Sequence, residues 1–190
     1  MIVRAKAAFV EGRLLDEFIP VPAELKETTS PNRDANSAEA LRKKYGASDW
    51  YDYAVNNWGT KWDVGDANGI QTWDDHELIV YFDSAWSPPT SAYERFEDLG
   101  FRVYATYYEP GMCFAGIYDE HGDTSYDLTD MDSDEVRNTI PHELDEAYCI
   151  SETMAEYEAE NEDEVTAWYK EGVEECKLTP HTNKKEETND

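Results

Sequence analysis

The sequence predicts an α+β fold: an antiparallel sheet with helices on one face, followed by an acidic helical extension. Three observations predict it. Apolar runs that alternate from side to side and end in turn residues recur between Glu77 and Leu128. Helical stripes with a cap before them and a glycine after them stand between those runs. Beyond Asp130 the alternation gives way to a helical stripe set among carboxylates.

The elements follow in order. Ile2–Val10 fits either a short strand or the ragged start of a helix. Phe18-Ile19-Pro20-Val21-Pro22 is extended, because each proline fixes its own φ and turns its predecessor away from the α region. Thr28–Asn36 is a loop by its turn residues. Ser37 is placed to cap a helix over Ala38–Tyr45 that Gly46 ends, and Ser48 or Asp49 to cap the next. On that second helix Tyr51, Val55 and Trp58 form one face, and Gly59 stops it. Thr60–Val64 reads as a strand, followed by a turn at Gly65-Asp66 or Asn68-Gly69 and a short strand at Ile70–Trp73.

Glu77–Asp83 is apolar on both sides and is expected to be a central strand covered by helices. Ser87-Pro88-Pro89 opens a helix whose buried stripe is Tyr93, Phe96 and Leu99, with Gly100 at its end. Phe101–Tyr108, a turn at Glu109-Pro110-Gly111, Met112–Tyr118 and Thr124–Leu128 make the last three strands. Antiparallel hairpins with helices on one face form a sandwich of the ferredoxin-like kind. The core is assigned to residues 1–130 with the N-terminal segment, the acidic helical extension to 131–178 and a disordered tail to 179–190. The extension begins with a short helix capped at Asp132-Ser133-Asp134 and continues as a long or broken helix, Ser151–Leu178.

Five of the six tryptophans, Trp50, Trp58, Trp62, Trp73 and Trp86, lie between Asp49 and Pro89, so the core is expected to be densest there. The formal net charge is -27. Charge on that scale argues against direct binding to DNA, RNA or an anionic membrane, which needs Lys and Arg opposite phosphate. It points to cations or a basic protein surface. Cys113, Cys149 and Cys176 form no CxxC pair, so neither a disulfide framework nor a zinc knuckle is expected, and free thiols suit a reducing cytoplasm. No apolar run approaches the ~18 residues of a membrane span, so the chain is expected to be neither secreted nor membrane-spanning.

No motif names a reaction. The tryptophans could stack bases, but Lys61 stands among Asp52, Asp63, Asp66, Asp74 and Asp75, so core packing is the better reading. Lys61, between Trp58 and Trp62, fits a cation–π contact or a salt bridge. Asp74-Asp75-His76-Glu77 and Asp119-Glu120-His121-Gly122-Asp123 hold metal-ligand types but lack the EF-hand and HExxH spacings, so both read as solvated turns. Cys113, His142 and Asp145 make a nucleophile set only on paper. No catalytic residue, metal site or cofactor is expected.

At NNWGTKWDV (Asn56–Val64) and FDSAWSPP (Phe82–Pro89) the chain resembles the YubB-type ferredoxin-like domain of phages, conjugative plasmids and other mobile elements. FIPVPAEL (Phe18–Leu25), YGASDWYDYAVNNWGTKWD (Tyr45–Asp63) and YYEPGMCFAGIY (Tyr107–Tyr118) extend the likeness over Leu15–Leu128. The family's N-terminal strand rich in Asn, Trp and Cys is absent, and the acidic helix after Asp130 lies outside the shared pattern. The resemblance implies a fold and a mobile-element origin, and no catalytic residues.

From Asp119 to Tyr169, eighteen Asp or Glu stand against one basic residue, Arg137. Glu152, Glu156, Glu158, Glu160, Glu162, Asp163 and Glu164 place one charge per roughly 3 Å of helix, close to the ~3.4 Å per phosphate of one DNA strand. A solvated face ordinarily mixes signs. This one carries like charges four residues apart, which costs helix stability. The expected function is therefore a non-enzymatic inhibitor of a host nucleic-acid-handling defence complex, anti-CRISPR or anti-restriction in type. It works by acidic nucleic-acid mimicry in the host cytoplasm, with those seven residues meeting the basic surface of a protein or ribonucleoprotein. The alternative is a structural or accessory interaction module without inhibitory activity, homo-oligomeric through free strand edges.

Overall fold

The computed structural model describes residues 1–161. In chain order the elements are α1 (Ile2–Val10), α2 (Leu14–Phe18), α3 (Ala23–Lys26), α4 (Ala35–Tyr45), α5 (Trp50–Trp58), β1 (Ile70–Trp73), β2 (Leu78–Val80) and α6 (Thr90–Asp98). Then come β3 (Ala105–Glu109), β4 (Phe114–Asp119), β5 (Gly122–Asp127), α7 (Ser133–Thr139) and α8 (His142–Tyr148). Residues 150–161 are helical as well. Helix and strand are thus mixed, as an α+β chain requires. The chain divides into two compact units: residues 1–107 with 116–125, and residues 108–115 with the chain from 126.

Helix α1 resolves the ambiguous N-terminus. Ala5, Ala8 and Phe9 share one helical face and are buried. The caps of α4 and α5 are Asp34 and Asp49, each accepting from two backbone N–H groups in its first turn. Asp34 starts α4 three residues before the expected helix, ahead of Ser37. Gly46 and Gly59 end α4 and α5 at φ 78° and 82°, where glycine carries no Cβ penalty. The buried face of α5 is Ala54 and Trp58, with Trp50 and Tyr53 packed partly against it, whereas Val55 is exposed. The apolar stripe is therefore rotated from the expected Tyr51, Val55, Trp58.

Thr60–Val64 is not a strand. Its end caps the start of α2 instead: Leu14 N–H donates to the Val64 carbonyl at 3.2 Å, and Leu15 and Asp16 N–H donate to the Asp63 carboxylate at 2.6 and 2.8 Å. One backbone carbonyl and one carboxylate of this segment satisfy the donors at a helix start.

The expected single sheet is also corrected. The described strands form a two-stranded sheet, β1–β2, and a three-stranded sheet in the order β3–β4–β5. β1 and β2 are antiparallel, with Thr72 opposite Ile79, Trp73 opposite Leu78 and a register irregularity between Ile70 and Thr72. The run expected as the central strand pairs on one edge only and leaves Ile79 and Tyr81 exposed. Its double-sided hydrophobicity supplies Leu78, Val80 and Phe82 to the edge of the core, and its other side faces outward.

The first unit's core gathers Phe9, Leu15, Leu25, Leu41, Ala54, Trp58, Val64 and Phe96. Of the five clustered tryptophans only Trp58 is buried, its indole N–H donating to the Ile19 carbonyl at 2.9 Å; Trp62, Trp73 and Trp86 are exposed. The second unit buries Leu128, Val136, Ile140, Leu144 and Ile150. Among the described residues no helix is long and apolar enough to cross a membrane.

Candidate functional site

In the second unit short-range polar pairing positions the acidic helix. Asp132 caps α7 through a capping box: Glu135 N–H donates to the Asp132 carboxylate at 2.8 Å, and Asp132 N–H donates to the Glu135 carboxylate at 3.1 Å. Helix α8 ends at Cys149, whose φ of 51° is left-handed. The chain restarts as a helix at residue 150. Asp145, buried in α8, accepts from Ser151 N–H at 2.7 Å and from Ser151 Oγ at 2.6 Å, so one helix supplies the cap of the next. Seven residues further on, Glu158 accepts from Ser133 N–H at 2.9 Å and Ser133 Oγ at 2.7 Å. The helix from 150 is therefore tied to the unit at both Ser151 and Glu158.

This pinning sorts the seven carboxylates expected to meet a partner. Glu152, Glu156, Glu158 and Glu160 are all exposed. Glu158 is held at the positive end of α7. Glu152, Glu156 and Glu160 fall four residues apart on one stripe, about 6 Å per step, and make no ion pair among the described residues. Glu162, Asp163 and Glu164 lie outside the described residues. Counter-charge is scarce: the described part of this unit holds thirteen Asp or Glu and one Arg, Arg137, which pairs with Asp134 at 3.0 Å.

The other candidates resolve into structural roles. Asp145 is committed to Ser151, His142 pairs with Glu146 at 3.2 Å, and Cys113 sits in a turn rather than in a strand, its Sγ 3.6 Å from the Pro110 carbonyl oxygen. Asp74 accepts from the backbone N–H groups of His76 and Glu77, which hold its carboxyl below the usual range. Asp119 accepts from His121 N–H at 2.8 Å. Among the described residues no three His, Cys, Asp or Glu side chains gather as a metal site would require.

The sequence predicts a cation–π contact or a salt bridge at Lys61 but assigns the tryptophans to the core, and so misses the aromatic surface of the first unit. Lys61 Nζ lies 4.6 Å from the Trp62 ring centroid, 5.2 Å from that of Trp86 and 5.9 Å from that of Tyr51. Trp62 is 59% and Trp86 69% exposed. Trp86 has φ 71°, a left-handed conformation that costs a residue with a Cβ roughly 1–2 kcal/mol. Its neighbours hold it there: Thr60 Oγ donates to the Ala85 carbonyl at 2.9 Å, and Ser87 Oγ to the Gly59 carbonyl at 2.7 Å. The signal in the sequence was Lys61 itself, a lone cation between aromatics.

The chain matches no protein-family model, no curated protein and no solved structure.

Proposed function

We propose that the chain is a non-enzymatic inhibitor, carried by a phage or mobile element, that acts in the host cytoplasm on a nucleic-acid-handling defence complex of the CRISPR or restriction type. It occupies the basic surface of that protein or ribonucleoprotein by acidic nucleic-acid mimicry. One observation carries the reading: Glu152, Glu156 and Glu160 form an exposed stripe without counter-charge, on a helix that two serine–carboxylate pairs hold in place. Two steps of four residues span about 12 Å, close to the rise of four phosphates on one DNA strand at ~3.4 Å each. Fixing the stripe before binding lowers the ordering cost of docking. Long-range attraction by the net charge of -27 speeds the encounter.

The ferredoxin-like fold and the mobile-element origin belong to the same proposal. Its support is the element order α5, β1, β2, α6, β3, which follows a ferredoxin-like unit without its first strand while its strands divide between two sheets, together with the resemblance of the WGTKW and FDSAWSPP segments to the YubB-type family.

The test is interference in cells. A bacterium with an active CRISPR or restriction system is challenged with a targeted phage, with and without the protein. The protein is expected to restore plating, and a variant with Glu152→Lys, Glu156→Lys and Glu160→Lys is expected to lose that effect while remaining folded by circular dichroism. The captured complex should be released between ~0.1 and 1 M salt, where charge pairing is screened. Inhibition that survives the charge reversal sinks the mimicry reading.

A further inference from the structure

We propose that Tyr51, Trp62 and Trp86 form a cation-binding aromatic cage on the surface of the first unit, in which Lys61 is the resident occupant and an arginine side chain of a basic protein partner is the intended one. Three ring centroids lie within 5.9 Å of one ammonium nitrogen. Ring faces carry negative quadrupole potential, and three of them turned to one point make a site for a cation. Among the described residues Lys61 has no carboxylate partner, so the rings themselves are what hold its charge. The structure thus displays the cage with a cation already in it.

The walls are built rather than incidental. Tyr51 rises from α5 and meets Trp86 edge-on at 6.2 Å between centroids. Trp86 is kept exposed in a left-handed conformation by the hydrogen bonds at Ala85 and Ser87. Such strain in an exposed side chain contributes little burial and is a feature of ligand clamps. Arginine is the favoured guest because its planar guanidinium stacks on indole, sheds water more readily than an ammonium and is frequent on basic surfaces. A chain of net charge -27 draws such surfaces towards it. Lys61, on a flexible stem, is a competitor that the guest displaces. Only the choice of a basic partner rests on the function proposed above; the cage itself stands on its own geometry.

The probe is a capped glycine–arginine–glycine tripeptide, titrated into the full chain while the indole N–H signals are followed by NMR. The Trp62 and Trp86 signals are expected to shift saturably, and that of buried Trp58 to stay. Lys61→Ala, which removes the competitor, should bind about two- to fivefold more tightly. Trp86→Gly should lose the saturable shift while its melting midpoint does not fall, since glycine adopts φ 71° freely. Trp62→Ala supplies a second wall deletion with the same expected loss of binding. The Glu152→Lys, Glu156→Lys, Glu160→Lys variant should show unchanged shifts, so that the cage is read apart from mimicry. Shifts equal to those from matched sodium chloride overturn the cage. So do Lys61→Ala binding no tighter, shifts that persist in either wall deletion, and shifts lost on reversal of the acidic stripe.

Discussion

Glu158 accepts two hydrogen bonds from Ser133, its backbone N–H and its hydroxyl, across 25 residues of chain. A side chain that looks like one more solvated charge in an acidic run is the tie between a helix and the start of α7. Glu158→Ala is expected to destabilise the second unit by about 1–2 kcal/mol, the cost of losing such a cap. Glu156→Gln is expected to be neutral or slightly stabilising, because it relieves like-charge neighbours worth a few tenths, about 0.2–0.5 kcal/mol, per pair. Urea unfolding followed by circular dichroism distinguishes the two, and equal effects would refute the distinction.

Asp63 offers a second long-range cap. Its carboxylate accepts from Leu15, Asp16 and Val64 N–H. Burial nevertheless pushes the Asp63 carboxyl up, ahead of the opposing pull of those donors. Asp63→Ala leaves donors at the start of α2 unsatisfied beside fully buried Leu15, at a cost of about 1–3 kcal/mol. Thermal melting would check it, with Asp66→Ala at an exposed position as the comparison.

Gly116 admits no side chain. A Cβ there would collide with the Tyr107 hydroxyl oxygen and ring Cζ and lie 2.6 Å from the Thr124 carbonyl oxygen. The Tyr107 hydroxyl is itself occupied, donating to Asp123 at 2.9 Å. Gly116→Ala is expected to cost about 1–3 kcal/mol, as overpacking does. The double change Gly116→Ala with Tyr107→Phe should recover little of that loss in the same melt, because phenylalanine keeps the ring Cζ and the Thr124 carbonyl stays in place.

Among the described residues burial raises three tyrosines, Tyr107, Tyr108 and Tyr118. Burial pushes the Tyr107 phenol up to about 12, and burial with the nearby Glu97 carboxylate does the same to Tyr118. Both ordinarily ionise near 10. The folded state therefore keeps these protons when the unfolded chain releases them, so the stabilisation is complete below pH ~10 and drains away as pH rises towards 12. Absorbance of tyrosinate against pH should show these groups titrating late in the folded protein, and the melting midpoint should fall over the same interval. Tyr107→Phe should flatten that fall.

Much of the helical content was legible because it is written locally. Asp49 and Gly59 bracket α5, Asp132 and Glu135 form a capping box, and Pro89 precedes α6. These signals need only neighbours. What misled was hydrophobicity taken as burial. Glu77–Asp83 is apolar on both sides, yet Ile79 and Tyr81 face out. The tryptophans between Asp49 and Pro89 point to a core, yet Trp62, Trp73 and Trp86 are on the surface. An aromatic ring over a lysine is apolar in sequence and half-wet in space, as with Lys6 over Trp73 at 3.3 Å. The acidic stripe was legible as charge, but not the fact that Glu158 is spoken for, since no spacing rule links residues 133 and 158.

The cap that Asp63 places on α2 bears on the order in which the chain takes shape during synthesis. Arg13, the residue at the cap position of α2, makes no capping hydrogen bond of its own. The donors at Leu15 and Asp16 wait for a carboxylate encoded 48 and 47 residues later. A nascent chain halted before residue 63 has left the ribosome holds the sequence of α2 without its terminus satisfied, and closing that loop carries an entropy cost that local capping would avoid. The donors that open α2 thus receive their carboxylate only once the chain through Asp63, beyond α5, has been made.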